Sequence, residues 1–419
     1  MKVWAWVRLL GLWWLMPLEA GAMLIGRAGT FPMHPNYALA RQYTNLEASI
    51  LCFPLIALAA TVAAHRIVRS GFLERVSAHR FLRGHLVPML GIGVPSWCLA
   101  LWFQATPALM SGSLEVAIAP LLVAAAWISA SVGFGWLLGS HALLRIAAPL
   151  SVLTVYIGAG FPAALDPPWL RHLTGLTSGC CAIYEVADLQ AAAAGILTVG
   201  AVLGMSLVFS AVSTRALPRV ATACVALGAV IAVATGITLA RPLPRDAVLD
   251  RPGPMSCVDV GRPLCVWPEH AQLVHEHRAG LLAMTEAVDG AGLELPTAIT
   301  ERKATEHPWP ESTVSLSSER GKVGLYWAYA EALLPRDDLC LDRPDTVVED
   351  YRTVLILRGA VMGWLVRESG GPLDENLLDE ESLAVLERMS SSSDHGAATV
   401  REIHAALLSC EIPADLADV

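Results

Sequence analysis

Charged residues are scarce in this chain of 419 residues. They make up 16% of the sequence, and only three of them are lysines, whereas about a quarter of a soluble domain is charged. No basic tract is present that could neutralise nucleic-acid phosphates, and a net charge of −9 repels them. We therefore predict that the chain is not an ordinary soluble protein and that it binds no nucleic acid.

The motifs of common catalytic and metal sites are also missing. A phosphate-binding loop needs G-x-x-x-x-G-K-[ST]. The nearest segment, LSSERGKV at 316–323, has leucine in place of the first glycine and valine in place of the hydroxyl residue. Neither H-E-x-x-H nor G-x-S-x-G occurs, and the acidic run at 379–381 lacks the spacing of a calcium loop. We predict no cofactor, no metal ligand and no catalytic residue, so the chain is not expected to be an enzyme.

Long apolar runs, in contrast, recur over the first 240 residues. A membrane-spanning helix needs roughly 20 apolar residues. Because backbone polar groups must be paired inside hydrocarbon, and because the period-two alternation of a barrel is absent, these runs are expected to be helices. The predicted spans are 3–25, 47–64, 85–106, 115–139, 145–164, 191–213 and 219–240.

Charge is unevenly distributed between the two parts of the chain. Residues 1–241 carry a net +7 and residues 242–419 a net −16, so we place the domain boundary at the RPLP segment, 241–244. Arginines cluster in alternate connections, and such clusters face the cytoplasm. With seven spans, the N-terminus is predicted to be cytoplasmic and the tail, 242–419, extracytoplasmic.

The N-terminal run has a second interpretation. Lys2, the apolar stretch and the small residues Ala20-Gly21-Ala22 could form a signal peptide. The run is long and rich in tryptophan, and Glu19 stands just before the supposed cleavage site. These features favour a retained first span.

The connection 65–84 combines arginines with apolar residues at helical spacing. It is predicted to be an amphipathic helix, which either lies on anionic headgroups or docks on a cytoplasmic partner. The outer connection, 165–190, is too polar to span. Trp169 and the nearby leucines suit an interfacial or re-entrant helix that starts at Asp166-Pro167-Pro168.

The first six spans resemble the plan of ABC exporter permeases of the second type. These permeases have a cytoplasmic coupling helix between the second and third spans and a short outer re-entrant element between the fifth and sixth, and 65–84 and 165–190 stand in those places. The resemblance covers about residues 1–215, is topological, and does not include the seventh span or the tail. It implies a separate ATP-binding subunit on the cytoplasmic side, a homodimer, and coupling to that subunit through Arg66, Arg69, Arg75, Arg80 and Arg83.

The tail is predicted to be a small all-α domain stapled by disulfides. Helical patterns occur at 268–289, 324–334, 346–368, 376–389 and 396–409. The start of the tail, CVWPEH, resembles a domain of uncharacterised function found on actinobacterial membrane proteins, a resemblance that implies no activity. The four cysteines of the tail allow three pairings if they form disulfides in an oxidising compartment, and we favour Cys257 with Cys265 and Cys340 with Cys410. The complete fold class is thus all-α, a polytopic bundle of six to seven spans followed by this domain.

The segment CVWPEHAQLVHEH, 265–277, raises the question of a metal site. Pro268 and Glu269 are typical of a helix start. On one helix His270 and His277 would lie about 10 Å apart, too far for a single metal ion. We favour a helix start over a zinc site. The ionisable residues Glu19, Glu47, Glu115 and Arg145 lie near predicted span ends, where we expect them to reach the interface.

Three functions remain open from the sequence. The first is the membrane subunit of an ABC-type exporter whose tail binds substrate or a partner outside the cell. The second is a non-transporting membrane anchor that displays a sensing or interaction domain. The third is an ectoenzyme, which no catalytic constellation supports.

Overall fold

The computed structural model describes residues 14–29, 37–70, 78–110, 117–176, 180–213, 219–302, 311–314, 316, 321–334, 348–390 and 393–409. The chain divides into two compact units, 1–250 and 251–419. The predicted boundary at 241–244 lies a few residues earlier, since a short strand after the last long helix pairs within the first unit.

The first unit is built from long helices and one small sheet. Its helices are α1 Leu15–Gly29, α2 Ala38–Ala48, α3 Cys52–Arg69, α4 Ala78–Met110, α5 Ile118–His141, α6 Leu144–Gly160, α7 Trp169–His172, α8 Leu189–Ser213 and α9 Arg219–Ala240. Strand β1, Glu185–Ala187, pairs antiparallel with β2, Val248–Asp250. A 3-10 turn at Ser49–Leu51 joins α2 to α3.

Six helical segments of the described residues are long and apolar enough to cross a membrane, which fits a multi-pass membrane protein. They are Ala38–Arg69, Val87–Pro107, Ile118–His141, Leu144–Ala164, Leu189–Ser206 and Val220–Ala240. The predicted first span, 3–25, is described only from residue 14, and that part lies in α1.

Small residues allow α3 and α5 to pack backbone to backbone. Gly135 and Gly139 lie one turn apart on α5, and a Cβ at either position would overlap the backbone of Ala57 or Thr61 on α3. The Thr61 hydroxyl lies within hydrogen-bond distance of the Gly135 carbonyl oxygen, 3.0 Å away, as well as of the Ala57 carbonyl oxygen. This is the small-x-x-x-small packing that brings membrane helices close together.

The segment predicted to be one amphipathic helix, 65–84, is described at its two ends only. Arg66 and Arg69 belong to the last turn of α3, while Arg80 and Arg83 lie in the first two turns of α4. Arg75 lies outside the described residues.

The tail contains a sheet, so the prediction of an all-α tail was wrong in part. Strands β3 Ser256–Asp259, β4 Pro263–Val266, β5 Ala298–Thr300 and β6 Glu311–Thr313 form one four-stranded sheet in that order. The first pair is antiparallel and the other two pairs are parallel. The hairpin turns at Gly261, whose φ is +85°. Strands of three or four residues are too short for a period-two pattern to stand out in the sequence.

The helices of the tail pack on this sheet around one apolar core. They are α10 Pro268–Glu276, α11 Arg278–Gly290, α12 Gly321–Ala332, α13 Val348–Glu368, α14 Glu380–Ser390 and α15 Ser393–Ser409. The predicted helix over 268–289 is interrupted at His277, whose φ of −110° and ψ of 11° are not helical. The predicted helix over 346–368 is α13, and its buried residues belong to the core of the tail.

Candidate functional site

The connection 165–190, which was predicted to lie on the outer side and is called the outer connection for that reason, packs against the helical unit. His172 and Arg171 are buried at 1% and 8% exposure. The indole N–H of Trp127, on α5, donates to the Thr174 carbonyl oxygen at 2.8 Å. The chain then approaches α8 so closely that a Cβ at Gly195 would overlap the backbone of the connection. The segment is therefore a packed element of the helical unit, and its helix, α7, is only one turn long.

Contacts also join the outer connection to the segment that follows α9. The Nε2 atom of His172 lies 2.8 Å from the Pro244 carbonyl oxygen, and Arg171 lies 3.6 Å from the Asp246 carboxylate. The guanidinium of Arg241 lies over the Trp169 ring, 5.8 Å from its centroid. Burial lowers the pKa of His172, and the bond to Pro244 opposes this effect. The connection and the segment after α9 therefore form one structure in which Trp169, Arg171 and His172 all take part.

We expect the Gly195 contact to be sensitive to a single added side chain. Replacing Gly195 with valine should push the connection away from α8, because the nearest atoms are backbone and cannot rotate aside. Amide hydrogen exchange of residues 169–176 in the purified protein should then rise at least about tenfold. Gly200→Val is the control, since it is on the same helix with nothing within 4 Å. Equal protection in both variants would contradict the contact.

A second polar site lies inside the helical unit, where the prediction for Glu19 was wrong. Glu19 was expected near the interface, but it is 1% exposed, and one of its carboxylate oxygens accepts a hydrogen bond from the Ser96 hydroxyl at 2.8 Å. The Cys52 thiol donates to the Glu19 carbonyl oxygen at 3.3 Å. Glu19 lies in the second turn of α1, which continues for ten more residues to Gly29.

The other ionisable residues near span ends differ from Glu19. Arg145 is exposed at the start of α6, and Glu47 is half-buried on α2. Glu115 lies outside the described residues. The local sequence does not distinguish Glu19 from these residues. What distinguishes Glu19 is its hydrogen bond with Ser96, which is 77 positions away in the sequence.

More buried polar side chains continue from Glu19 along the same helices. The Asn45 amide donates to the Phe103 carbonyl oxygen at 2.7 Å. The amide of Gln104, in the orientation that satisfies both its groups, donates to the Gln42 carbonyl oxygen at 2.8 Å and accepts from the Leu46 N–H at 3.0 Å. We call this set, Glu19, Gln42, Asn45, Cys52, Ser96 and Gln104, the polar seam.

The third polar site answers the question raised by CVWPEHAQLVHEH. Nδ1 of His270 lies 2.7 Å from one Glu301 oxygen, and the other oxygen accepts from the Trp267 backbone N–H at 2.9 Å. His270 and Glu301 are 1% and 0% exposed. Glu269 instead pairs in bidentate fashion with Arg251, whose guanidinium lies 4.5 Å from the centroid of the Trp267 ring. Among the described residues no group of three or more candidate ligands could hold a metal ion.

The cysteines lie in three parts of the chain, the tail, the connection 165–190 and the apolar helices. A disulfide joins Cys257 to Cys265 across the β3–β4 hairpin, where the two residues are directly opposite. Cys340 and Cys410 lie outside the described residues. Cys180 and Cys181 are bonded to each other. Of the three free cysteines on the apolar helices, Cys52 is buried, whereas Cys98 and Cys224 lie on exposed helix surfaces.

Comparison with known proteins gives one match, and it is confined to the tail. Residues 264–410 match a family described as a domain of unknown function, DUF7224. The matched region runs from β4 to the end of α15 and includes His270 and Glu301. No curated protein and no solved structure matches the chain. The description of the family names no activity.

Proposed function

We propose that this chain is the membrane-spanning subunit of an ABC-type export system and that it pairs with a separate ATP-binding subunit. The observation that carries the proposal is the outer connection, which is packed against α5 and α8 between the fifth and sixth of the proposed spans. A short folded-back element between the fifth and sixth spans is part of the permease plan. An anchor whose helices only hold a domain at the membrane has no need of one.

The arginines at the ends of α3 and α4 are the proposed contact surface for the ATP-binding subunit. Arg66 and Arg69 are exposed in the last turn of α3. By the positive-inside rule this end of the helix faces the cytoplasm, and the tail then lies on the opposite side. There it would bind a substrate or a partner, and permeases of this plan work as dimers.

A charge reversal tests the pairing. The double variant Arg66→Glu, Arg69→Glu should lose the ATP-binding subunit on affinity purification from the native membrane, with recovery down at least about tenfold, because charged contacts at a rim govern association. The co-purified protein is identified by mass spectrometry through its phosphate-binding loop.

The control reverses two exposed arginines of the tail, Arg352→Glu with Arg401→Glu, and should keep the subunit. Equal recovery from both double variants would refute the coupling role. Absence of any ATP-binding protein from the wild-type purification would refute the export system itself.

A second candidate function is a non-transporting anchor that displays the tail. The observation in its favour is that the tail is a separate compact unit with its own apolar core. Under this hypothesis the tail retains its partner when the helical unit is exchanged for a single unrelated span. Under the export hypothesis that exchange abolishes function, because the helices form the pathway.

A further inference from the structure

Burying the polar seam costs more free energy than is needed simply to hold helices together. Its side chains lie between α1, the joined helices α2–α3, and α4, and both α2–α3 and α4 contain apolar segments long enough to span a membrane. Placing a polar group in an apolar environment costs free energy unless it is paired, and an ionisable group costs the most. Interhelical hydrogen bonds such as that of Asn45 explain part of the seam. They explain neither a carboxyl group nor an unused donor.

The unused donor is the amide nitrogen of Gln42. Gln42 is 1% exposed, and its side-chain oxygen accepts from the Ala117 N–H at 3.1 Å. Its Nε2 atom is buried and has no hydrogen-bond partner among the described residues. A buried donor left in this state indicates a position that water or a ligand occupies.

The seam has a direction and a length. Gln42 and Cys52 are ten residues apart, so at a rise of 1.5 Å per residue the polar groups extend about 15 Å along α2–α3. Gln42 and Gln104 lie at one end, and Glu19, Cys52 and Ser96 lie at the other. A row of polar groups about half as long as a membrane is thick ends on a carboxyl group.

We propose that the polar seam is a water-accessible pathway that brings small cations, including amine groups, to Glu19. The carboxyl supplies the charge that attracts a cation, and the amide and hydroxyl oxygens along the seam supply further acceptors. The packed arrangement in the structure is the closed form, and thermal opening of α1 from α4 admits water. The inference is independent of the ATP-binding subunit, because it concerns the helical unit alone.

A native thiol reports on this pathway. Cys52 lies beside Glu19, and its thiolate displaces methanesulfinate from a methanethiosulfonate reagent and forms a mixed disulfide with the rest of the reagent. The probes are the cationic trimethylammonium-ethyl and the anionic sulfonato-ethyl methanethiosulfonates, which are similar in size. The full-length protein is treated in lipid vesicles, and modification is measured by mass spectrometry on the peptide that contains Cys52.

We expect the cationic probe to modify Cys52 at least about tenfold faster than the anionic probe, as attraction by one buried carboxylate implies. Cys98 and Cys224 are the internal controls. Both lie on exposed surfaces of apolar helices, which face lipid in the vesicles, so neither thiol should react with a charged probe. Glu19→Gln preserves an acceptor for Ser96 and should bring the ratio close to one. Gln42→Leu should slow both probes together.

Two outcomes would overturn the pathway. In the first, uncharged methyl methanethiosulfonate modifies Cys52 but both charged probes leave it as unreactive as Cys98, and the seam is then only helix-to-helix adhesion. In the second, both charged probes react at equal rates in the wild-type protein, and the preference for cations is wrong. Neither outcome bears on the co-purification test of the ATP-binding subunit.

Discussion

Replacing Gly139 with leucine should separate α3 from α5 and strongly destabilise the helical unit. A Cβ at this position would overlap the backbone of Thr61, and backbone cannot move aside as the end of a flexible side chain can. The helices must therefore move apart, which would also break the contact between the Thr61 hydroxyl and the Gly135 carbonyl oxygen. Overpacking in a well-packed interior costs about 1–3 kcal/mol and sometimes more, and we expect the upper end here because the contact is between backbones.

The measurement is the thermal unfolding midpoint of the purified protein in detergent, together with the fraction that elutes as a single species in size-exclusion chromatography. Gly228→Leu is the matched control, because it makes the same change within the apolar helix α9 where nothing lies within 4 Å. Gly139→Ala should have an intermediate effect. A Gly139→Leu protein as stable as Gly228→Leu would show that the small-residue contact does not hold α3 to α5.

The sequence contains a signal for the contact between α3 and α5. Gly135 and Gly139 have the spacing of a helix-pairing motif, but this spacing alone does not say which helix is the partner. The partner positions Ala57 and Thr61 show the same spacing. Hydropathy predicts where spans lie because the thickness of the membrane constrains their length. The choice of which spans pack together depends instead on helix faces that carry small residues.

The polar sites were less predictable, for a physical reason. Glu19 pairs with Ser96 and His270 with Glu301, which are separated by 77 and 31 residues. Local periodicity carries information about the near neighbours of a residue on its own helix but none about partners from other elements. From the sequence alone, each residue can be placed only by its position near the start or end of an element. This position predicts the membrane interface for Glu19 and the start of a helix for His270.

The same limit explains the strands of the tail. A strand of three residues shows no recognisable alternation, and its apolar residues, such as Ile299, are buried because neighbouring strands and helices cover them. The Cys257–Cys265 pairing could be predicted because the two residues are only eight positions apart, so a bond between them closes a short loop. The sheet that extends from that hairpin is formed by strands distant in the sequence, so nothing local indicated it.

Replacing Glu301 with alanine should strongly destabilise the tail. The carboxylate is fully buried, and it serves two donors, the His270 ring and the Trp267 backbone N–H at the start of α10. Removal leaves both groups buried without an acceptor, and breaking such a pair costs about 3 kcal/mol or more. The loss should concentrate at the junction of α10 with β4 and β5, where Trp267 and Glu301 lie next to the strands.

Hydrogen exchange in the full-length protein would measure this effect at residues 264–276. Glu276→Ala and His275→Ala are matched controls, because both residues are exposed on α10, and they should leave exchange within about twofold of the wild type. His270→Ala should reproduce most of the effect of Glu301→Ala. Combining the two changes should then add little, since the second removes a partner that is already lost. If the two effects were additive, His270 and Glu301 would act separately, and the buried pair would not be the contact that fixes the start of α10.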